Sequence, residues 1–144
     1  MRAAASPYLK FSIGAGLAVG VAALLWFGST GPERGTRREV DEPTLSARAS
    51  QGKTLFEANC ATCHGERGAG TEKGPPLIHD FYNPGHHADA AFFAAAKFGV
   101  RQHHWHFGNM PPQPQVSEGE LAAIVQYIRE VQVANGITFR PHRM

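Results

Sequence analysis

The chain has 144 residues and a mass of 15.6 kDa, room for one domain with little left for a second. With 42% hydrophobic and 18% charged residues it is too apolar for general disorder, and its 16 glycines and 10 prolines require much loop. A formal charge of +2 argues against a nucleic-acid binder held by phosphate contacts, and two cysteines exclude a multi-disulfide framework or a four-cysteine zinc ribbon. Seven of the eight histidines fall between His64 and His106, a crowding that asks for an explanation.

The first 30 residues read as an export signal or membrane anchor. Arg2 and Lys10 precede Phe11–Gly28, 18 residues without a charge. As a helix this run is about 27 Å long, near the thickness of a bilayer core. Positive charge before the span predicts a cytoplasmic N-terminus, with the rest of the chain across the membrane. The competing reading is a cleaved signal peptide, whose apolar region is usually shorter; bulky Leu24–Phe27 offers no good cleavage site. The expectation is a single-pass inner-membrane protein with its domain in the periplasm, the alternative a soluble periplasmic one. Residues 31–46 carry prolines, glycines and mixed charge with few apolar side chains, and are predicted to be a flexible linker spanning roughly 20–25 Å.

Residues 47–144 form the working domain, in which three helices are expected. Ala47–Ala61 carries Leu55, Phe56 and Ala58 toward Cys60. Asp89–Phe98 is alanine-rich, with Asp89 as a candidate N-cap and Gly99 beyond its end. The last helix opens on Ser117-Glu118-Gly119-Glu120, a capping-box pattern. It continues with Leu121, Ile124, Val125, Ile128 and Val131 at helical spacing and stops at Asn135-Gly136. No segment alternates over strand length, so the domain is read as all-α with long loops. Its own core is thin for its size, which calls for something else to fill it.

Cys60-Ala61-Thr62-Cys63-His64 matches the C-x-x-C-H attachment sequence for c-type haem. Two thiols separated by two residues of a helical turn can reach two vinyl groups on one edge of the macrocycle, and the next imidazole then faces the iron. A thioredoxin-like pair needs a βαβ context that is absent, a zinc site does not require the immediate histidine, and a disulfide across so short a loop is strained. Coincidence with an export signal favours haem.

Residues 50–134 resemble the class I c-type cytochromes, small single-haem electron carriers. Beside the C-A-T-C-H motif, the resemblance rests on Gly52 and Phe56 before it, on Ile124 and Tyr127 of the final helix, and on Gly74-Pro75-Pro76-Leu77. It implies an all-α cytochrome c fold with long loops around one haem c, bound covalently through Cys60 and Cys63. It further implies that His64 is the proximal ligand, that the Pro75 carbonyl accepts a hydrogen bond from its imidazole, and that Leu77 packs on the ring. Pro76 has no counterpart in that pattern.

Met110, in Gly108-Asn109-Met110-Pro111-Pro112, stands where the family places its distal ligand. A polarizable thioether suits reduced iron, His/Met ligation raises the reduction potential, and the two prolines stiffen the loop. The competing readings are a core methionine, or bis-histidine ligation by His103, His104 or His106. Trp105 and Arg101, near Met110 in sequence, are candidate partners for the haem propionates. Phe92, Phe93 and Phe98 are expected in the pocket or core. His86-His87 and His103-His104-Trp105-His106 are read as haem-rim residues rather than a copper site, because adjacent histidines on a loop rarely both ligate one ion.

The implied function is one-electron transfer rather than enzymatic catalysis. The partners implied are redox proteins, such as a membrane respiratory complex, a reductase or an oxidase. The alternatives are a sensor or peroxidase-like protein in which Met110 dissociates, or a haem protein with an added copper site.

Overall fold

The first and last helices of the domain cross with no side chain between them. In the computed structural model, which describes residues 39–141, α1 (Ala47–Asn59) lies against α4 (Glu118–Ala134). A Cβ added at Gly52 would sit 1.9 Å from the Ala123 carbonyl oxygen, so glycine is what allows the two backbones to touch. One turn further along, Phe56 and Tyr127, both fully buried, meet with ring centroids 5.6 Å apart. Ile124, Ile128 and Val131 complete the seam, so the periodicity read in the sequence faces the core.

The capping box of α4 forms as expected: Ser117 Oγ accepts from the Glu120 backbone N–H while the Glu120 carboxylate takes the Ser117 N–H at 2.8 Å. Ser46 caps α1 and also donates through both its N–H (2.9 Å) and its hydroxyl (2.7 Å) to Glu130 of α4. The first predicted helix ends two residues early. Helix α1 ends at Asn59, Cys60 widens to φ −120° while its N–H still reaches the Phe56 carbonyl, and the chain continues as a single turn, α2 (Ala61–His64), that carries Cys63 and His64. Helix α3 spans Asp89–Phe98 with Gly99 at its end, as expected, but Ala88 rather than Asp89 is the cap; Asp89 instead pairs with Arg129 at 2.8 Å. Among the described residues there is no named strand, only an isolated antiparallel bridge between Val100 and Met110.

The segment read as the end of a linker is held against the domain from residue 40 onward. Val40 is buried in the core and Leu45 packs against it. Asn135 brackets the backbone of Asp41, accepting its N–H (3.1 Å) and donating to its carbonyl (2.7 Å). Glu42 takes Lys53 at 2.6 Å and the Tyr127 hydroxyl at 3.3 Å. All of these partners but Lys53 lie far along the chain, so composition alone reads the stretch as solvated. Residues 1–30 and the first half of the expected linker fall outside the described residues; within the described residues no helix is long and apolar enough to cross a membrane.

A polar node secures the long loop between α2 and α3. Gln132, fully buried, donates to the carbonyls of Leu77 (2.9 Å) and Tyr82 (3.1 Å). Arg129 donates to the carbonyls of Tyr82 (2.7 Å) and His87 (2.6 Å) and to Gln132 Oε1 (2.7 Å), and lies over the Phe92 ring at 4.9 Å. Two side chains of α4 thereby replace the secondary structure that this loop lacks.

Gly52→Ala is expected to cost about 3 kcal/mol, because the added methyl must displace a backbone carbonyl, read as a lower denaturation midpoint of the haem-loaded protein. Arg129→Met, which strands the His87 carbonyl and leaves that of Tyr82 to Gln132 alone, is expected to cost about 2–3 kcal/mol and to raise amide exchange across residues 79–88 before the α1–α4 pair opens.

Candidate functional site

Between α3, the loop after α2 and the near face of α4 lies a cavity of about 430 Å³, lined mainly by apolar side chains that include Phe56, Leu77, Phe92, Leu121 and Ile124. A core would normally fill such a space with side chains. A second cavity of about 120 Å³ adjoins it, sharing Cys60, His64, Pro75 and Met110, and carries Cys63 on its wall. The four residues that the motifs single out therefore meet at one slot: two thiols, an imidazole and a thioether.

His64 is placed by a tightly turned segment. Gly65 and Gly70 adopt left-handed φ values of +78° and +87°, and the Gly70 N–H returns to the His64 carbonyl at 2.6 Å. A Cβ on Gly70 would meet the Pro76 nitrogen at 2.8 Å, so the second proline closes this turn. The His64 ring is buried, and its Nδ1–H donates to the Pro75 carbonyl at 2.9 Å, which leaves Nε2 as the nitrogen with a free lone pair. Burial lowers its pKa and the Pro75 hydrogen bond only partly opposes this, so the imidazole is neutral at neutral pH and can serve as a ligand. The expected role of the Pro75 carbonyl is thus present, and Leu77 lines the cavity beside it.

Cys60 and Cys63 are free thiols, Cys60 half-buried and Cys63 exposed. Burial, helped by the neighbouring Cys63, pushes the Cys60 thiol up to about 11, so it is protonated at neutral pH and not primed as a redox nucleophile. This argues against the thioredoxin-like alternative.

Met110 stands on a loop fastened at both ends. Its backbone exchanges two hydrogen bonds with Val100 (2.9 and 3.0 Å), and the Gln113 N–H reaches the Ala96 carbonyl of α3 at 2.7 Å. Gly99, at φ +75°, lets that pairing close: a Cβ there would lie 2.6 Å from the Met110 carbonyl oxygen. Within the loop, Asn109 Oδ1 accepts the Gln102 N–H at 3.1 Å and Gln102 Oε1 accepts the Gly108 N–H at 2.9 Å. The side chain is half-buried and lines both cavities.

The remaining expectations divide. Trp105 lines the cavity, and its indole N–H is buried without an acceptor in hydrogen-bond geometry. Burial raises the pKa of the Tyr82 phenol, and the nearby Trp105 N–H partly opposes this. Arg101 is exposed and absent from the cavity wall. Phe92 and Phe98 line the cavity, while Phe93 packs against the core. Sequence reading passed over Tyr82, Arg129 and Gln132. The last two were within reach: Arg129 is four residues after Val125 and Gln132 four after Ile128, so both interrupt an apolar stripe.

These features fit a c-type haem: paired thiols at the slot's edge, one imidazole nitrogen directed by its partner, a thioether on a stiffened loop and an orphaned buried donor. An apolar hollow surrounds them all.

The comparisons with known proteins point the same way. The Cytochrome c family model matches residues 49–132, more than half of the chain. Residues of this chain are 34% identical over 98 positions to the Cbb3-type cytochrome c oxidase subunit FixP of Bradyrhizobium diazoefficiens, covering 65% of this chain and 33% of that protein. They are 34% identical over 108 positions to Cytochrome c oxidase subunit 2 of Alkalihalophilus pseudofirmus, covering 69% and 30%. A match to the Cbb3-type subunit CcoP of Rhodobacter capsulatus, 28% identical over 94 positions, covers 62% and 31%. The chain thus spans about a third of the length of these curated relatives. No solved structure matches it. On its motif, its cavity and the family match together, this chain belongs to the cytochrome c family, as a class I c-type cytochrome.

Proposed function

We propose that this domain carries single electrons between redox partner proteins, with haem c held covalently by Cys60 and Cys63 and axially by His64 and Met110. The observation that supports this most directly is the meeting of those four side chains at one apolar slot. When bound, haem c supplies a reversible one-electron change at its iron.

The chain's own residues set the conditions for that change. His64, neutral and oriented by the Pro75 carbonyl, offers Nε2 in a fixed direction. Met110 offers a soft sulfur from a loop braced by Val100 and Pro111. A haem held by both His64 and Met110 would leave no place for a substrate, which favours a carrier over a sensor or peroxidase. The apolar wall excludes water and disfavours added positive charge, so it raises the reduction potential in the same direction as the methionine. Trp105 supplies a donor for a propionate carboxylate, which would otherwise leave its buried N–H unsatisfied. Cys63 is exposed, which marks the thioether edge as the route by which electrons reach a partner. Docking there is brief and uses a small interface.

In this reading the domain works on the periplasmic face, tethered by the apolar run Phe11–Gly28, and its partner is a respiratory oxidase or reductase. The named roles of the relatives, oxidase subunits, support the respiratory setting. A tether raises the effective concentration of the domain for neighbours in the same membrane.

Met110→Ala is expected to retain covalent haem while losing the weak red absorption of a sulfur–iron bond; a high-spin oxidised spectrum in the unsubstituted protein would refute six-coordination. Trp105→Phe keeps the ring's bulk but removes the donor, and is expected to lower both the midpoint potential and the stability, the latter by about 2 kcal/mol, in redox titration and thermal melts.

A further inference from the structure

The histidines that sequence reading placed separately along the haem rim converge from two loops. His86 and His87 leave one tight turn, because the Asn83 carbonyl accepts the N–H of both, at 3.0 and 2.9 Å. Their rings therefore lie together, 4.7 Å between centroids, which an extended pair could not achieve. The turn is anchored: Asn83 is buried, its Oδ1 takes the Gly85 N–H at 2.9 Å, and Arg129 holds the His87 carbonyl at 2.6 Å. His104 arrives from the loop before Met110, stacked on Phe81 at 4.8 Å.

We propose that His86, His87 and His104 bind one late first-row transition-metal ion, copper(II) in preference to zinc(II), at a site separate from the iron ligands. Each residue offers a ring nitrogen, and these atoms all lie within 4.8 Å of one another. His86 Nε2 and His104 Nε2 are 3.2 Å apart. Two imidazole nitrogens on one ion, each at about 2.0–2.1 Å, stand roughly 2.9 Å apart as cis neighbours in a square-planar site and roughly 3.3 Å apart in a tetrahedral one, so this pair already has the spacing of co-ligands. His87 donates its Nδ1–H to the Phe81 carbonyl at 2.6 Å, which fixes the tautomer that presents Nε2. That is the carbonyl–histidine arrangement that usually backs a metal-bound imidazole.

The chemistry of the set selects the ion. It contains only imidazole nitrogen, with no carboxylate or thiolate, which suits copper, zinc or nickel and not calcium or magnesium. Copper(II) stands highest in the affinity order for such ligands. His103, its ring 4.4 Å from His104, is next in line for a fourth position. Because His87 and His104 also line the main cavity, the ion would sit at the rim of the haem pocket.

The test uses full-chain, haem-loaded protein stripped with a chelator and titrated with copper(II) or zinc(II) against a competing chelator of known affinity. One copper per haem is expected, with nitrogen superhyperfine structure in its electron paramagnetic resonance spectrum, and copper is expected to bind more tightly than zinc. His86→Gln and His104→Gln should each weaken binding at least tenfold, and His86→Gln, at a residue absent from the cavity wall, should leave the haem spectrum unchanged; His106→Gln, exposed and outside the group, should not weaken binding. Absence of a stoichiometric ion, or binding insensitive to His86→Gln and His104→Gln, overturns the proposal. The haem absorbance reports separately on the electron-carrier reading.

Discussion

The close crossing of α1 and α4 at Gly52 is the constraint on which the domain depends. Backbone contact with the Ala123 carbonyl draws two helices from opposite ends of the domain into one seam. Phe56 and Tyr127 then interlock beside it. Once that seam exists, the turn at Cys60 follows directly from the end of α1, and the face of α4 bearing Leu121 and Ile124 becomes the wall of a cavity. The N-terminal segment from Val40 to Ser46 closes the seam from outside through Tyr127, Glu130 and Asn135.

The cavity shows what kind of core this is. Its helices bury a stripe on one side only, and the opposite side of that stripe meets a hollow of about 430 Å³. Close packing is the rule inside proteins, so a space this large and apolar is a place shaped for a partner that the side chains do not supply. The residues that carry chemistry sit at its edges, where backbone turns rather than long helices set their direction. Gly65, Gly70 and Gly99 each occur where a left-handed turn brings two carbonyls or a proline ring too near for a Cβ.

Loops make up much of this protein, and three long-range devices order them. Arg129 and Gln132 hold the segment 77–87 by its carbonyls. The Val100–Met110 bridge closes the segment that carries Met110, and Pro75 is fixed by the histidine it orients. Such polar contacts stabilise only when every partner is present, which is why a few residues of α4 matter to side chains far along the chain. The histidine group depends on the first two devices at once, since one loop brings His86 and His87 and the other brings His104.

Local signals were the legible part of this protein in its sequence. The capping box at Ser117, the apolar stripe of α4, the glycine after α3 and the C-x-x-C-H motif act over a few residues, and each appears in the structure where its pattern stands. The break at Cys60 was not legible, because a helix can continue through that composition until tertiary packing turns it. Nor was the docking of residues 40–46, whose partners on and after the last helix lie 84–94 positions away, nor the exclusion of Arg101 from the cavity. The sequence by itself determined the helices, the attachment motif and the candidate ligands, since propensity, capping and spacing are properties of neighbours. Tertiary structure alone decided which loop carbonyls Arg129 holds, that Trp105 is buried without an acceptor, and that histidines from two loops share one point. Those are distances between residues remote in the chain, and only the closed seam between α1 and α4 brings them within reach.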